Sequence, residues 1–213
     1  MKRIMLMIVL SCVFSLGLTA QDNVMLKKIR EANATIQTFE TDLHNTQEKS
    51  DKKTEQAGKL YFTCPNQFAA LFDNGKHMIV NADRLKINIG IFNGTFKLRG
   101  SGMMRSLCNI FLYGFQGRCE ELANENNYSI KVMQIGPYQQ VYCTNKRKAI
   151  LDISYKNVIF NYDKTSLMLR QIILIDSNNT VDTYSIYNTV YNLPVDPKVY
   201  TFNSQKQSSS PPW

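Results

Sequence analysis

The groups in this chain that could do covalent chemistry are few, and their spacing argues against it. His44 and His77 fall among polar neighbours at strand or turn edges, where an imidazole is ordinarily an exposed side chain and not a general base. Asp152, Asp163 and Asp176 fall at strand ends and turns, and Glu120 and Glu121 lie beside a short helical piece; carboxylates in such places cap or solvate the backbone. There is no Gly-x-Ser-x-Gly elbow, no His-Glu-x-x-His and no phosphate loop. Beyond residue 20 the cysteines are Cys64, Cys108, Cys119 and Cys143, with no Cys-x-x-Cys pair, so neither a zinc site nor a redox dithiol is expected. Disulfides are open to an exported chain: Cys108 with Cys119 would close a short loop and Cys64 with Cys143 would join two strands, but four cysteines allow three pairings and spacing does not choose. The expectation is a protein that is not an enzyme and uses no cofactor and no metal.

What the chain does offer is apolar binding chemistry. In residues 58–72, Leu60, Phe62 and Cys64 share one side of a strand, while Lys59, Tyr61 and Thr63 share the other. Pro65 interrupts the ladder, after which Phe68, Ala70 and Phe72 resume an apolar face. Phe39 marks an earlier strand over residues 35–43, and Met78 and Val80 a later one. Residues 103–115 carry Met104, Leu107 and Phe111 at helical spacing with Phe115 continuing the stripe, which makes a helix that must be well covered. A Met-, Leu- and Phe-rich helix across a curved apolar sheet either lids a cavity for an apolar ligand or simply completes a packed core.

The other elements read as follows. A short amphipathic helix spans 22–33, residues 47–56 form a charged hairpin loop, residues 90–102 stay unassigned and a second helical piece runs over 119–124. Strands are expected at 85–89, 128–135, 139–144, 150–155, 158–162, 167–176 and 181–191, giving eight to eleven antiparallel strands in a meander that must curl or close.

Residues 1–20 have the form of a secretory signal peptide: Lys2 and Arg3, an apolar stretch, then a small-residue end at Ala20. A rival reading places an acylated Cys12 at the mature N-terminus. Residues 21–203 then make one domain, and the Ser/Pro-rich residues 204–213 a disordered tail. The formal charge of +8 becomes +6 once Lys2 and Arg3 are removed. Apart from Lys146, Arg147 and Lys148 the cations read as scattered over a solvated surface, and no nucleic-acid partner is expected.

Two segments carry a resemblance to a known family. One is Gly58-x-Leu60-x-Phe62-x-x-Pro65-x-x-Phe68; the other is Asn192-Leu193-Pro194-Val195-Asp196-x-x-x-Tyr200-x-Phe202. In this order, after a signal peptide, an N-terminal helix and a strand with Phe39, they resemble the LolA-type periplasmic carrier of outer-membrane lipoproteins. The resemblance implies a mainly β fold, an unclosed antiparallel β-barrel whose concave apolar face is covered by helices. It also implies acylated lipoprotein as cargo, an inner-membrane lipoprotein-releasing transporter and an outer-membrane receptor as partners, and a periplasmic monomer. Carried onto this chain, the lipid-facing positions are Phe39, Leu60, Phe62, Cys64, Phe68, Ala70, Phe72, Met78, Val80, Met104, Leu107 and Phe111. The family often places an inward Arg before the Pro of the second strand as a lid latch; here Cys64 occupies that position. Closure then falls to another residue or a disulfide, or the chain is a lipid- or lipoprotein-sensing paralogue with no transfer role.

Overall fold

The computed structural model describes residues 20–89, 92–100, 102–126, 128–146 and 155–202. Helix α1 (Ala20–Asn33) is followed by β1 (Thr38–Lys49), β2 (Lys52–Thr63), β3 (Gln67–Phe72), β4 (His77–Asn81), β5 (Arg84–Ile89) and β6 (Phe92–Lys97). Helices α2 (Gly102–Gln116) and α3 (Glu121–Asn126) come next, then β7 (Tyr128–Ile135), β8 (Tyr138–Asn145), β9 (Asn157–Asp163), β10 (Leu169–Ile175) and β11 (Val181–Tyr191). All eleven strands form one antiparallel sheet in the order β6-β5-β4-β3-β2-β1-β11-β10-β9-β8-β7. Neighbours in sequence are neighbours in the sheet except where β1 pairs with β11, and β6 and β7 remain as unpaired edges. The unclosed antiparallel β-barrel expected from the meander is therefore present, with the helices laid on its apolar face.

Period two explains why each strand has one buried face. In β1, Phe39, Thr41, Leu43 and Asn45 are buried while their neighbours are less so, and in β2 Leu60 and Phe62 turn inward. Strand β9 is buried along almost its whole length, with Val158, Phe160 and Tyr162 in the main core. Helix α2 buries Met104, Cys108, Phe111 and Phe115 on one stripe and Ile110, Leu112 and Gly114 beside it, and so sinks into the curved sheet instead of resting on it. Gly114 makes that depth possible: a Cβ there would lie 2.7 Å from Phe160 Cε1 and 3.2 Å from Ile172 Cδ1.

Residues 47–56 depart from the expected loop. They are the far ends of β1 and β2, paired down to Lys49↔Lys52, with Ser50 at φ 53° in the two-residue turn. Beyond the barrel both faces meet water, so no apolar alternation marks these strands, and opposed charges such as Glu48↔Lys53 serve as the cross-strand pair. The unassigned stretch contains β6, whose Phe92 and Phe96 pack inward and whose Gly94 obscured the alternation. The signal segment up to residue 19, Cys12, the strand expected at 150–155 up to residue 154, Arg147, Lys148 and the tail lie outside the described residues. Among those described, no helix is long and apolar enough to cross a membrane.

A second, smaller core sits on the convex face. There the chain after β11 crosses β2–β5, and Tyr200 packs on Ala69 and Ile79. Asp196 accepts from the Lys198 N–H to cap the short 3-10 helix Pro197–Tyr200. The Tyr200 hydroxyl lies 2.9 Å from Thr63 Oγ1. Much of the segment that carried the resemblance near residues 192–202 thus acts as a strap outside the barrel.

The close seat of α2 predicts that Gly114→Ala lowers stability by about 1–3 kcal/mol through overpacking against Phe160. Urea denaturation followed by circular dichroism reads this directly, and an unchanged midpoint would mean that α2 does not sit down on β9.

Candidate functional site

Every position picked out as lipid-facing turns toward the same interior. Phe39, Leu60, Phe62, Phe68, Ala70, Phe72, Met78, Val80, Met104 and Phe111 are buried in the main core; Cys64 and Leu107 are half-buried and pack against it. Cross-strand pairing aligns several of them in rows: Phe39↔Phe62↔Phe68↔Val80 and Leu60↔Ala70↔Met78. His44 and His77 point the other way. His44 Nε2 lies 3.7 Å from Glu55 on the convex side, and His77 Nδ1 lies 3.2 Å from the Gly75 carbonyl.

The centre of the interior is aromatic. Phe115 of α2 meets Phe39 edge-on with ring centroids 5.2 Å apart, Phe62 at 5.5 Å and Phe68 at 5.7 Å. Phe111, one turn earlier, meets Phe68 at 5.6 Å and Tyr184 of β11 edge-on at 5.1 Å. Each such pair adds about 0.5–1.5 kcal/mol beyond area burial. Phe115 and the inward residues of β9–β11, among them Ile172, Tyr184 and Ile186, were not on the lipid-facing list. Phe115 was findable as the i+4 partner of Phe111, and the strand residues by the parity already applied to β2 and β3.

Among the described residues, helix α2 leaves little free space in this interior. One void of about 10 Å³ remains between Leu43, Leu60, Phe68, Phe111, Phe115 and Tyr184. A second, about 20 Å³, lies beneath Phe92, Met103, Leu107, Ile110, Tyr128 and Tyr155, where the first half of α2 bridges the two open edges of the sheet. Either is about the space of a single water.

The titratable side chains buried in the main core are neutral, and the nearest carboxyl on the inward parity, half-buried Asp182 of β11, is raised above its usual range by burial. Burial pushes the Cys108 thiol up to about 12, and raises Cys119, Cys143, Tyr162 and Tyr184 well above their ordinary ranges, so all stay protonated near neutral pH. The four described cysteines are free thiols, so neither Cys108 with Cys119 nor Cys64 with Cys143 is bridged.

With Cys64 in place of the family's inward Arg, the C-terminal end of α2 is held by other residues. Gln116 Nε2 donates to the Pro65 carbonyl at 2.7 Å, tying the end of α2 to the β2–β3 turn. The Tyr162 hydroxyl donates to the Gly114 carbonyl at 2.8 Å and lies 3.0 Å from Cys119 Sγ. Arg118 stacks over Tyr113 and pairs with Glu121, and Arg30 of α1 pairs with Glu120 and Glu121. At the other end Arg105 Nε donates to the Leu98 carbonyl at 3.2 Å, but Met103, Ser106 and Leu107 are only half-buried. The helix is thus deeply anchored at its C-terminal half and shallow at its N-terminal half.

No family profile matches this chain, and no curated protein matches it in sequence. Solved structures do resemble it. A LolA superfamily protein from Nitrosomonas europaea aligns over 88% of this chain and 98% of its own, at 11% identity and a TM-score of 0.44. A DUF1329 family protein from Desulfovibrio piger aligns over 84% and 95%, at 11% identity and 0.45. A conserved protein from Thermus thermophilus aligns over 86% and 95%, at 5% identity and 0.48.

Thiol chemistry reads the closed interior. In native protein only the half-buried Cys64 is expected to react readily with a maleimide near pH 8, whereas all four described thiols react in guanidinium. Rapid native labelling of Cys108, Cys119 or Cys143 would mean that the interior is open.

Proposed function

We propose that the chain is a carrier which takes the acyl chains of a lipoprotein into its interior, in place of the side chains of the first half of α2 and the Phe111 ring, and shuttles them between membranes. The observation that carries this reading is the seal itself: an apolar interior, walled by an open sheet and stoppered by a helix anchored at one end. Nothing in that arrangement needs covalent chemistry. Burial of each acyl methylene contributes about 0.8 kcal/mol, and the helix supplies a removable cover.

The asymmetry of α2 gives the route. The C-terminal half, held by Gln116, Tyr162 and Arg118, acts as the hinge. The N-terminal half, with half-buried Met103 and Leu107 over the larger void, lifts first and opens the gap between β6 and β7. Met is suited to such a rim because its flexible side chain accommodates varied apolar shapes.

The sequence resemblance supplies the finer reading: cargo received from an inner-membrane releasing transporter and delivered to an outer-membrane receptor, in the periplasm, after cleavage behind Ala20. The lipid-facing residues are the twelve inferred from the sequence together with Phe115 and Tyr184.

The test is native mass spectrometry of protein purified gently from its own host. An acylated polypeptide is expected to co-purify, and Leu107→Glu is expected to reduce its recovery at least about tenfold by placing a charge on the acyl path, with the circular dichroism unchanged. Protein that is empty and also refuses a fluorescent fatty-acyl probe would overturn the carrier reading.

A further inference from the structure

The cations that read as scattered in sequence are gathered by the fold at one corner. Between residues 83 and 105 there are five cations, Arg84, Lys86, Lys97, Arg99 and Arg105, against one acid, Asp83. Arg84 and Lys97 face each other directly across β5 and β6, and Lys86 follows Arg84 on the same convex face. Arg99 lies in the turn after β6, and Arg105 on the first turns of α2; both are exposed, as are Arg84 and Lys97. Like charges set directly opposite in a ladder destabilise it, so this edge carries a local cost that a neutral pair would remove.

Elsewhere on the surface several cations sit beside acids. Lys27 pairs with Glu31, Lys53 with Glu55, Lys59 with Asp42 and Arg118 with Glu121. At the β5–β6 corner the side chains meet neutral partners: Arg84 stacks over the Phe202 ring at 5.1 Å, Lys86 Nζ donates to the Phe202 carbonyl and Arg105 Nε to the Leu98 carbonyl. These contacts fix the cations in place without cancelling their charge.

The basic corner adjoins the open edge of the barrel. On the opposite side of β6 from Lys97 are Phe92 and Phe96, both half-buried, and Met103 follows on α2; Phe92 and Met103 border the larger void. Cations flanking partly exposed aromatic and thioether side chains suit a surface that is anionic at its boundary and apolar just beneath.

We infer that the β5–β6 edge with the start of α2 is a docking surface for an anionic phospholipid bilayer. The cations come from three separate backbone segments, β5, the end of β6 with the turn after it, and the start of α2. A laterally continuous anionic surface satisfies that spread, whereas an acidic polypeptide would need a complementary track. Docking in this orientation turns the gap between β6 and β7, and the shallow end of α2, toward the membrane. The inference does not depend on the carrier reading, because a bare vesicle carries no cargo.

The experiment is sedimentation of the chain from Gln21 onward, which holds every described element except Ala20, with phosphatidylcholine vesicles with and without phosphatidylglycerol. Binding is expected only to the anionic vesicles, and to fall as salt rises from about 0.05 to about 0.5 M, because the Debye length shrinks across that range. At about fivefold per cation, Lys97→Gln with Arg99→Gln should weaken binding about 25-fold. Lys52→Gln with Lys53→Gln, at the tip of the β1–β2 hairpin, should change it less than about twofold. Arg99→Gln alone, in an exposed turn, should still give about fivefold if the double variant does not fold. No binding to anionic vesicles, equal binding to neutral ones, equal loss in the hairpin variant, or retention by an acidic polypeptide but not by vesicles would each overturn the inference.

Discussion

The structure depends on one seal, the insertion of the Phe111–Phe115 face of α2 into the concave side of an open sheet. An eleven-stranded sheet with one apolar face and two free edges cannot remain uncovered in water. Closing it with a helix requires a close approach, which Gly114 permits against Phe160, and a filling of the right volume, which Phe115 supplies against Phe39, Phe62 and Phe68. The filling belongs to the chain, so little of the apolar interior is left exposed. Withdrawing Met104 and Phe111 while Phe115 stays seated forfeits roughly 4 kcal/mol of burial, at about 2 kcal/mol each, and about five acyl methylenes would restore it. On the carrier reading, exchange of these side chains for acyl chains is therefore close to balanced.

The polar groups beneath the helix support the same economy of charge. Tyr162 and Cys119 are buried, neutral and bonded to each other, and Tyr162 also holds the Gly114 carbonyl. A buried ion pair would lock the helix more firmly but would leave an uncompensated charge when the helix moved. Here the ion pairs stay at the periphery, between Arg30 or Arg118 and the acidic residues at the start of α3, where water can replace either partner. Glu120 is the most confined of these: desolvation raises its carboxyl above the usual range, and Arg30 draws it back.

Much of this was legible in the sequence where local pattern and tertiary role coincide. Residues 58–72 alternate because one face is buried, so their parity named the inward side chains correctly, Cys64 included. The 3.6-residue stripe located α2 to within a residue at each end. Three features were hidden for identifiable reasons. The outer halves of β1 and β2 project beyond the core, so water on both faces erased their alternation. In β9 even the convex positions Ile159 and Asn161 are buried, which blurs the in–out distinction that would have placed Phe160 and Tyr162 on the candidate site. The basic corner arises because a sheet hairpin and a turn bring Arg84 beside Lys97 and Arg99; linear spacing of up to fifteen residues looks like scatter.

The most direct test of the account is amide hydrogen exchange along α2, measured with and without a diacylated peptide. The account predicts that acyl loading lowers protection in the first half of the helix, over residues 102–109, while residues 112–116 and the strands of the sheet keep theirs. A ligand that binds with α2 fully protected, or that loosens the sheet instead, would contradict the claim that this helix is the stopper of an acyl site.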